Sequence, residues 1–241
     1  MTVIGIIPAR YDSSRFPGKP LKNILGKSMI RRVYEQAEQS RLEKVIVATD
    51  NKRIVDEVLS FNGEVMMTSS EHISGTDRCL EVAQKIANVN DIIINIQGDE
   101  PFIEPQQINQ LIAAFTDKEI GIVTLCKRIE KADTLVDNSK PKVKFDDNKK
   151  AISFDRVMNS PFEDGVFYKH IGIYAYRLNV LEKVCALKPS SLEIKHKLEQ
   201  WRWLQNGYDI LVLETPFDSY SVDTDEDLKK IIERFGDSNC F

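Results

Sequence analysis

A short β-branched run, Val3 to Ile7, empties directly into a segment where Pro17, Gly18 and Pro20 forbid a helix. The run reads as a buried strand, and Pro8, which has no backbone N–H to donate, is expected to end its ladder. The loop that follows carries Arg10, Arg15 and Lys19, with the hydroxyls of Ser13 and Ser14 between them. Guanidinium and ammonium groups gathered on one short loop are phosphate partners, so a polyphosphate is the expected ligand; a solvated basic turn is the plainer alternative. The loop is not a GxxxxGK[ST] motif, because Pro20 follows Gly18-Lys19 and blocks the helix that motif opens. A P-loop kinase or GTPase is therefore disfavoured.

Strand and helix patterns alternate beyond the loop. A helix is predicted over Met29 to Gln39 from Ile30, Val33, Tyr34 and Ala37, then a strand over Lys44 to Thr49. A helix from Ile54 to Phe61, a strand from Glu64 to Met67, a helix from Thr76 to Ala87 and a strand from Ile92 to Ile96 come next. That last strand is apolar on both faces, as in the middle of a parallel sheet covered by helices. The expected fold class is α/β, a Rossmann-like, doubly wound and mostly parallel sheet whose ligands gather beyond the carboxyl ends of the strands. Arg10, Asp50 and Asp99 all fall at such ends. Further on, helices are predicted at Pro105 to Phe115, Val180 to Ala186 and Leu192 to Gln205, strands at Gly121 to Cys126, Val166 to Tyr176 and Asp209 to Glu214, and a final helix from Thr224. Residues 130–165 are charged and irregular, with short strands at Lys142 to Phe145 and Ala151 to Phe154; they read as an insertion into one domain spanning 1–241.

Composition narrows the function classes. A formal charge of −4 opposes a nucleic-acid partner, which calls for a basic face. No apolar run approaches the roughly 20 residues that a bilayer-spanning helix needs. Cys79, Cys126, Cys185 and Cys240 form no CxxC pair, so neither a zinc site nor a redox dithiol is expected, and free thiols without a signal-peptide pattern fit a cytoplasmic protein.

Asp99 follows an apolar strand and a glycine, and Asp223 stands between an extended segment and a helix start, where a helix N-cap is the competing role. Two carboxylates facing a polyphosphate grip suit Mg²⁺, a hard cation that keeps waters and is completed by substrate phosphates. Ser74 with Asp77 is a capping arrangement, and His170 on a strand is by itself a packing histidine as readily as a functional one.

Several segments in order carry a resemblance: Pro8-Ala9-Arg10 through Pro20-Leu21, Val47 to Asp50, Ser74 to Arg78, Asn95 to Pro101, His170 to Tyr174, Leu198-Glu199-Gln200 and Val222-Asp223-Thr224. Together the chain resembles the sugar nucleotidyltransferases, and among them the branch that loads CMP onto 3-deoxy-manno-octulosonate (Kdo). The resemblance implies transfer of CMP from CTP to the sugar acid with release of pyrophosphate, for lipopolysaccharide biosynthesis, by a cytoplasmic homodimer. It implies Asp99 and Asp223 as Mg²⁺ ligands, and Arg10 and Lys19 as the triphosphate clamp. Pro8, Ala9, Ser13, Ser14, Arg15, Ser74 and Gln97 complete the nucleotide contacts, with Ser74 reading the pyrimidine. Arg78, Gln97, Glu100, His170, Tyr174, Glu199 and Gln200 would meet the sugar acid.

The chain departs from the family pattern on the acceptor side. His196 stands where a glutamate is usual, Phe154-Asp155-Arg156-Val157-Met158 replaces a Phe-Ser-Arg, and Phe217 to Ser221 lacks the usual glycines. Two rivals follow: the same chemistry on a related acid, such as 8-amino-Kdo or a nonulosonate, and a CTP-binding regulator without turnover.

Overall fold

The computed structural model describes residues 1–12, 16–158 and 165–236. Ser13, Ser14, Arg15 and Cys240 lie outside the described residues. In chain order the elements are β1 (Val3–Ala9), a 3₁₀ turn (Lys19–Leu21), β2 (Asn23–Ile24), β3 (Lys27–Ser28), α1 (Met29–Glu38), β4 (Lys44–Thr49), α2 (Lys52–Ser60), β5 (Val65–Met67), α3 (Gly75–Ile86), β6 (Ile92–Asn95) and α4 (Pro105–Ala114). They continue as β7 (Ile122–Arg128), α5 (Asp133–Val136), β8 (Lys142–Phe145), β9 (Ala151–Asp155), β10 (Tyr168–Arg177), α6 (Leu178–Cys185), α7 (Ser191–His196), α8 (Gln200–Gln205), β11 (Leu211–Glu214) and α9 (Asp225–Gly236). The fold is mixed α/β, and contacts group the chain into two units: Met1–Asn109 with the stretch from Ser219 onward, and Gln110–Asp218.

In the first unit the strand order is β6-β1-β4-β5, all parallel. The chain runs outward from β1 through β4 to β5, then returns across β1 to β6. Right-handed crossovers therefore put α1 and α2 on one face and α3 on the other, and the direction of winding reverses beside β1. Each helix begins where a polar side chain can cap it: the Ser28 hydroxyl accepts from Arg31 N at 3.3 Å, the Asn51 side chain from Arg53 N at 3.0 Å, and Ser74 with Asp77 forms a reciprocal capping box.

Pro8 does not end the first strand. β1 pairs with β4 as far as Ala9↔Thr49, whereas its register with β6 stops at Ile6↔Asn95. From Ile7 onward β1 has an open edge on the β6 side, and a residue without an N–H is tolerated at an edge. A second core cluster closes the unit: Val222 and Ile231 pack with Phe16, Ile24, Met29 and Phe102.

In the second unit β7 lies between β11, parallel to it, and β10, antiparallel to it. The predicted strands of the irregular segment form as the hairpin β8–β9, with β8 alongside β10. The single helix expected over Leu192 to Gln205 is two. Lys197 turns left-handed at φ 53°, ending α7, and Arg156 donates from Nε to the His196 carbonyl and from Nη2 to the Lys197 carbonyl, both at 2.9 Å. A side chain from a distant segment satisfies the orphan carbonyls at that break, which glycine or proline marks in other chains.

Candidate active site

A cavity of about 530 Å³ opens in the first unit at the carboxyl ends of β1 and β6, where the winding reverses. Pro8, Ala9 and Arg10 line it from the end of β1, Gln97, Gly98 and Asp99 from the end of β6. Asp12, Lys19, Arg78 and Asp223 complete the charged lining.

Gly98 is what lets the two strand ends close up: a Cβ there would stand 2.8 Å from the Pro8 carbonyl oxygen. Gly18, at φ 69°, takes the left-handed turn that starts the 3₁₀ segment and sends the Lys19 side chain inward. The Lys19 ammonium donates to Asp99 Oδ2 at 2.7 Å and to Asp223 Oδ1 at 3.2 Å. Burial alone would lower the Lys19 pKa, but the two carboxylates outweigh it and the net shift is upward. The backbone binds the same two loops: Val222 N donates to the Asp99 carbonyl at 2.9 Å. Capping of α9 falls to Thr224, whose hydroxyl accepts from Asp227 N at 3.2 Å while Asp227 Oδ2 accepts from Thr224 N at 3.0 Å. The N-cap role weighed for Asp223 thus belongs to its neighbour, and the Asp223 carboxylate turns to Lys19.

Arg10 donates from Nη2 to the His72 carbonyl. The loop bearing that carbonyl is pinned to α3, because Glu81 Oε2 lies 2.6 Å from His72 Nε2 and accepts from Ser69 N at 2.8 Å. Burial lowers the Arg10 pKa, as does the nearby Arg78 guanidinium, while Asp50 and Asp77 pull it back. Arg78 is wholly buried, donating from Nη2 to Asp50 at 2.6 Å and from Nη1 to Thr68; its Nε has no hydrogen-bond partner among the described residues. Gln97 reaches back to Asn95 Oδ1 at 3.3 Å. Ser74 is occupied in capping α3, and Glu100 is 6% exposed; neither lines the cavity. Asp12, Pro20, Ile73 and Gly75 also line it, though no binding role was expected for them. Asp12, Pro20 and Gly75 lay inside quoted motifs, whereas Ile73 lay outside them.

The remaining predicted residues belong to the second unit. His170 Nε2 lies 3.0 Å from both Thr124 Oγ1 and Tyr174 Oη, and Gln200 Nε2 donates to the Tyr174 oxygen. Burial drives the His170 pKa down to about 3 and the Tyr174 phenol well above its ordinary value. Both are neutral at physiological pH, so this chain of side chains is a buried hydrogen-bonding hub and not an acid-base pair. The Gln200 carboxamide oxygen is buried without a hydrogen-bond partner among the described residues, and Glu199 beside it is half-buried.

Whether a divalent cation suits the Asp pair can be read from the donors. Oxygens from both carboxylates reach one nitrogen, so they converge on a single cation-sized position, and the two side chains are 28% and 38% exposed, which leaves room for water. That donor set fits Mg²⁺, which asks for one or two carboxylates with waters and phosphates and not for a full protein cage. Among the described residues no group of three or more metal-binding side chains gathers anywhere.

Residues 4–210 match the family model described as cytidylyltransferase. The chain is 47% identical to a 3-deoxy-manno-octulosonate cytidylyltransferase of Parabacteroides distasonis, over 96% of this chain and 97% of that protein. It is 43% identical to the enzyme of the same name from Fusobacterium nucleatum, over 99% of each. A solved CMP:2-keto-3-deoxy-manno-octonic acid synthetase complexed with CTP superposes with a TM-score of 0.92 at 38% identity, covering 98% of this chain and 99% of that one.

Proposed function

The chain belongs to the cytidylyltransferase family, and we propose that it transfers CMP from CTP to 3-deoxy-manno-octulosonate, releasing pyrophosphate, to supply lipopolysaccharide biosynthesis. One observation carries this reading: Arg10, Lys19, Asp99 and Asp223, drawn from three separate stretches of sequence, line a single cavity at the winding reversal of the sheet. Two cations beside two carboxylates can bind a triphosphate together with a divalent cation. The relatives of near-equal length, with their printed substrate, support the choice of nucleotide and acceptor.

In this mechanism the sugar hydroxyl attacks the α-phosphorus, its bond to phosphorus forms as the bond to the β-phosphate bridging oxygen breaks, the hydroxyl proton passes to solvent, and pyrophosphate leaves. The protein's share is positioning and charge compensation. Arg10, held by the His72 carbonyl, and Lys19, held by its rigid turn, face the triphosphate. Asp99 and Asp223 hold Mg²⁺, which when bound offsets the negative charge that builds on the transferring phosphoryl group. We extend the proposal to a cytoplasmic homodimer on the family likeness.

The test is incubation with CTP, Mg²⁺ and Kdo, following pyrophosphate. Release that depends on all three supports the reading; none across neutral and mildly alkaline pH overturns it. Comparing kcat/KM for Kdo, 8-amino-Kdo and nonulosonates fixes the acid.

A further inference from the structure

The same two oxygens that fit a divalent cation are bridged by a cation the chain supplies itself. From the Lys19 bridge between Asp99 and Asp223 we infer that Lys19 is a surrogate cation: its ammonium and the divalent ion are alternatives for one position, and nucleotide binding exchanges them. The inference rests on the metal role proposed for the aspartates.

The geometry supports the exchange. The Val222 N to Asp99 carbonyl bond, at 2.9 Å, holds the backbones of the two loops together and keeps the two carboxylates in reach of one position. The Lys19 ammonium, 2.7 Å from Asp99 Oδ2 and 3.2 Å from Asp223 Oδ1, offsets their mutual repulsion. Lys19 delivers it from a rigid base: Gly18 is left-handed, Pro20 fixes the next φ, and Lys22 N donates to the Lys19 carbonyl at 3.1 Å. Only the flexible four-carbon stem is free to move, and it lines the same cavity as Arg10, where a triphosphate would offer the ammonium stronger partners. Drawing Lys19 onto phosphate leaves the aspartates with two uncompensated charges, which a divalent cation neutralises. The metal therefore enters with the nucleotide and binds poorly before it, so the unloaded enzyme does not hold a reactive metal facing water.

Mn²⁺ serves as the probe, its binding to the full chain followed by electron spin resonance of the free ion and by water-proton relaxation. Without nucleotide, Lys19→Met should bind Mn²⁺ at least ~5-fold more tightly than the unsubstituted chain, since a competing charge is gone. Adding Asp99→Asn should abolish that gain. With CTP, the unsubstituted chain should form a protein-bound Mn²⁺ complex of high relaxivity. Lys19→Gln provides a second neutral variant should the methionine chain not fold. Equal or weaker Mn²⁺ binding by the folded neutral variants, alongside a normal ternary complex, overturns the surrogate role and leaves the metal site standing. No protein-bound Mn²⁺ in any chain, with or without CTP, overturns the metal site as well.

Discussion

Asp223 and Thr224 are adjacent, and the structure divides two tasks between them. Thr224 completes the capping box with Asp227, and Asp223 reaches Lys19. Thr224→Ala should cost about 1 kcal/mol of stability, lowering the melting temperature by about 2–4 °C, while turnover stays within severalfold of normal. Asp223→Asn should leave melting nearly unchanged in Mg²⁺ buffer and lower kcat by ~100-fold or more, as loss of a charge-stabilising group does. Melting curves and pyrophosphate release on the two variants decide it, and an Asn variant with near-normal kcat would return Asp223 to a purely structural part. Adjacent residues with interchangeable capping chemistry are a place where sequence alone cannot assign roles: both Asp and Thr cap well, and only the direction of the side chain separates them.

At the scale of elements, β7, β10 and α8 are joined by the Thr124, His170, Tyr174 and Gln200 chain. The groups around His170 add no charge to it: Cys126, its register partner on β7, has its thiol pushed up to about 12 by burial, and Tyr174 is raised as well. The imidazole is neutral in the folded chain down to about pH 3, yet protonates near 6.5 once unfolded. Between those values the unfolded state binds the extra proton, so stability falls as pH falls, by at most about 1.4 kcal/mol per pH unit from this group. Melting temperature against pH from 7 to 4 should be visibly steeper for the unsubstituted chain than for His170→Gln. Parallel curves would mean the ring is solvated and free to charge. Most elements here were readable from periodicity, since α1, β4 and β6 combine buried faces with plain caps or turns. The break at Lys197 was not, because the signal that ends α7 is a guanidinium from Arg156, far away in sequence. The persistence of β1 through Pro8 escaped for a similar reason: it depends on how far the neighbouring strand extends.

For the whole molecule, the ligand itself is the best probe of which parts of the chain act together. If CTP binds the folded state alone, a hundredfold excess over Kd should add about 2.7 kcal/mol to unfolding, and Mg²⁺ should enlarge the CTP shift far more than it moves the unliganded chain. Thermal melts with CTP, Mg²⁺ and both measure this; equal shifts for Mg²⁺ with and without CTP would contradict coupled entry. The cavity was legible in outline, because motifs at Pro8 to Arg10, Gln97 to Asp99 and Asp223 fall where a doubly wound sheet gathers ligands. Its internal wiring was not: the lysine bridge, the Arg78–Asp50 pair and the His72 carbonyl under Arg10 are products of tertiary approach. Among the described residues no helix is long and apolar enough to cross a membrane.

The first unit is finished by residues that follow the second: Val222 and Ile231 enter the cluster with Phe16, Ile24, Met29 and Phe102, and Val222 carries Asp223 to Asp99. During synthesis the ribosome must therefore emit the entire intervening stretch while the early strands wait, their hydrophobic flank still uncovered. A nascent or truncated chain halted before residue 222 lacks both Val222 and Asp223, so the lysine bridge between the two aspartates and the closing of the hydrophobic cluster come only late in translation.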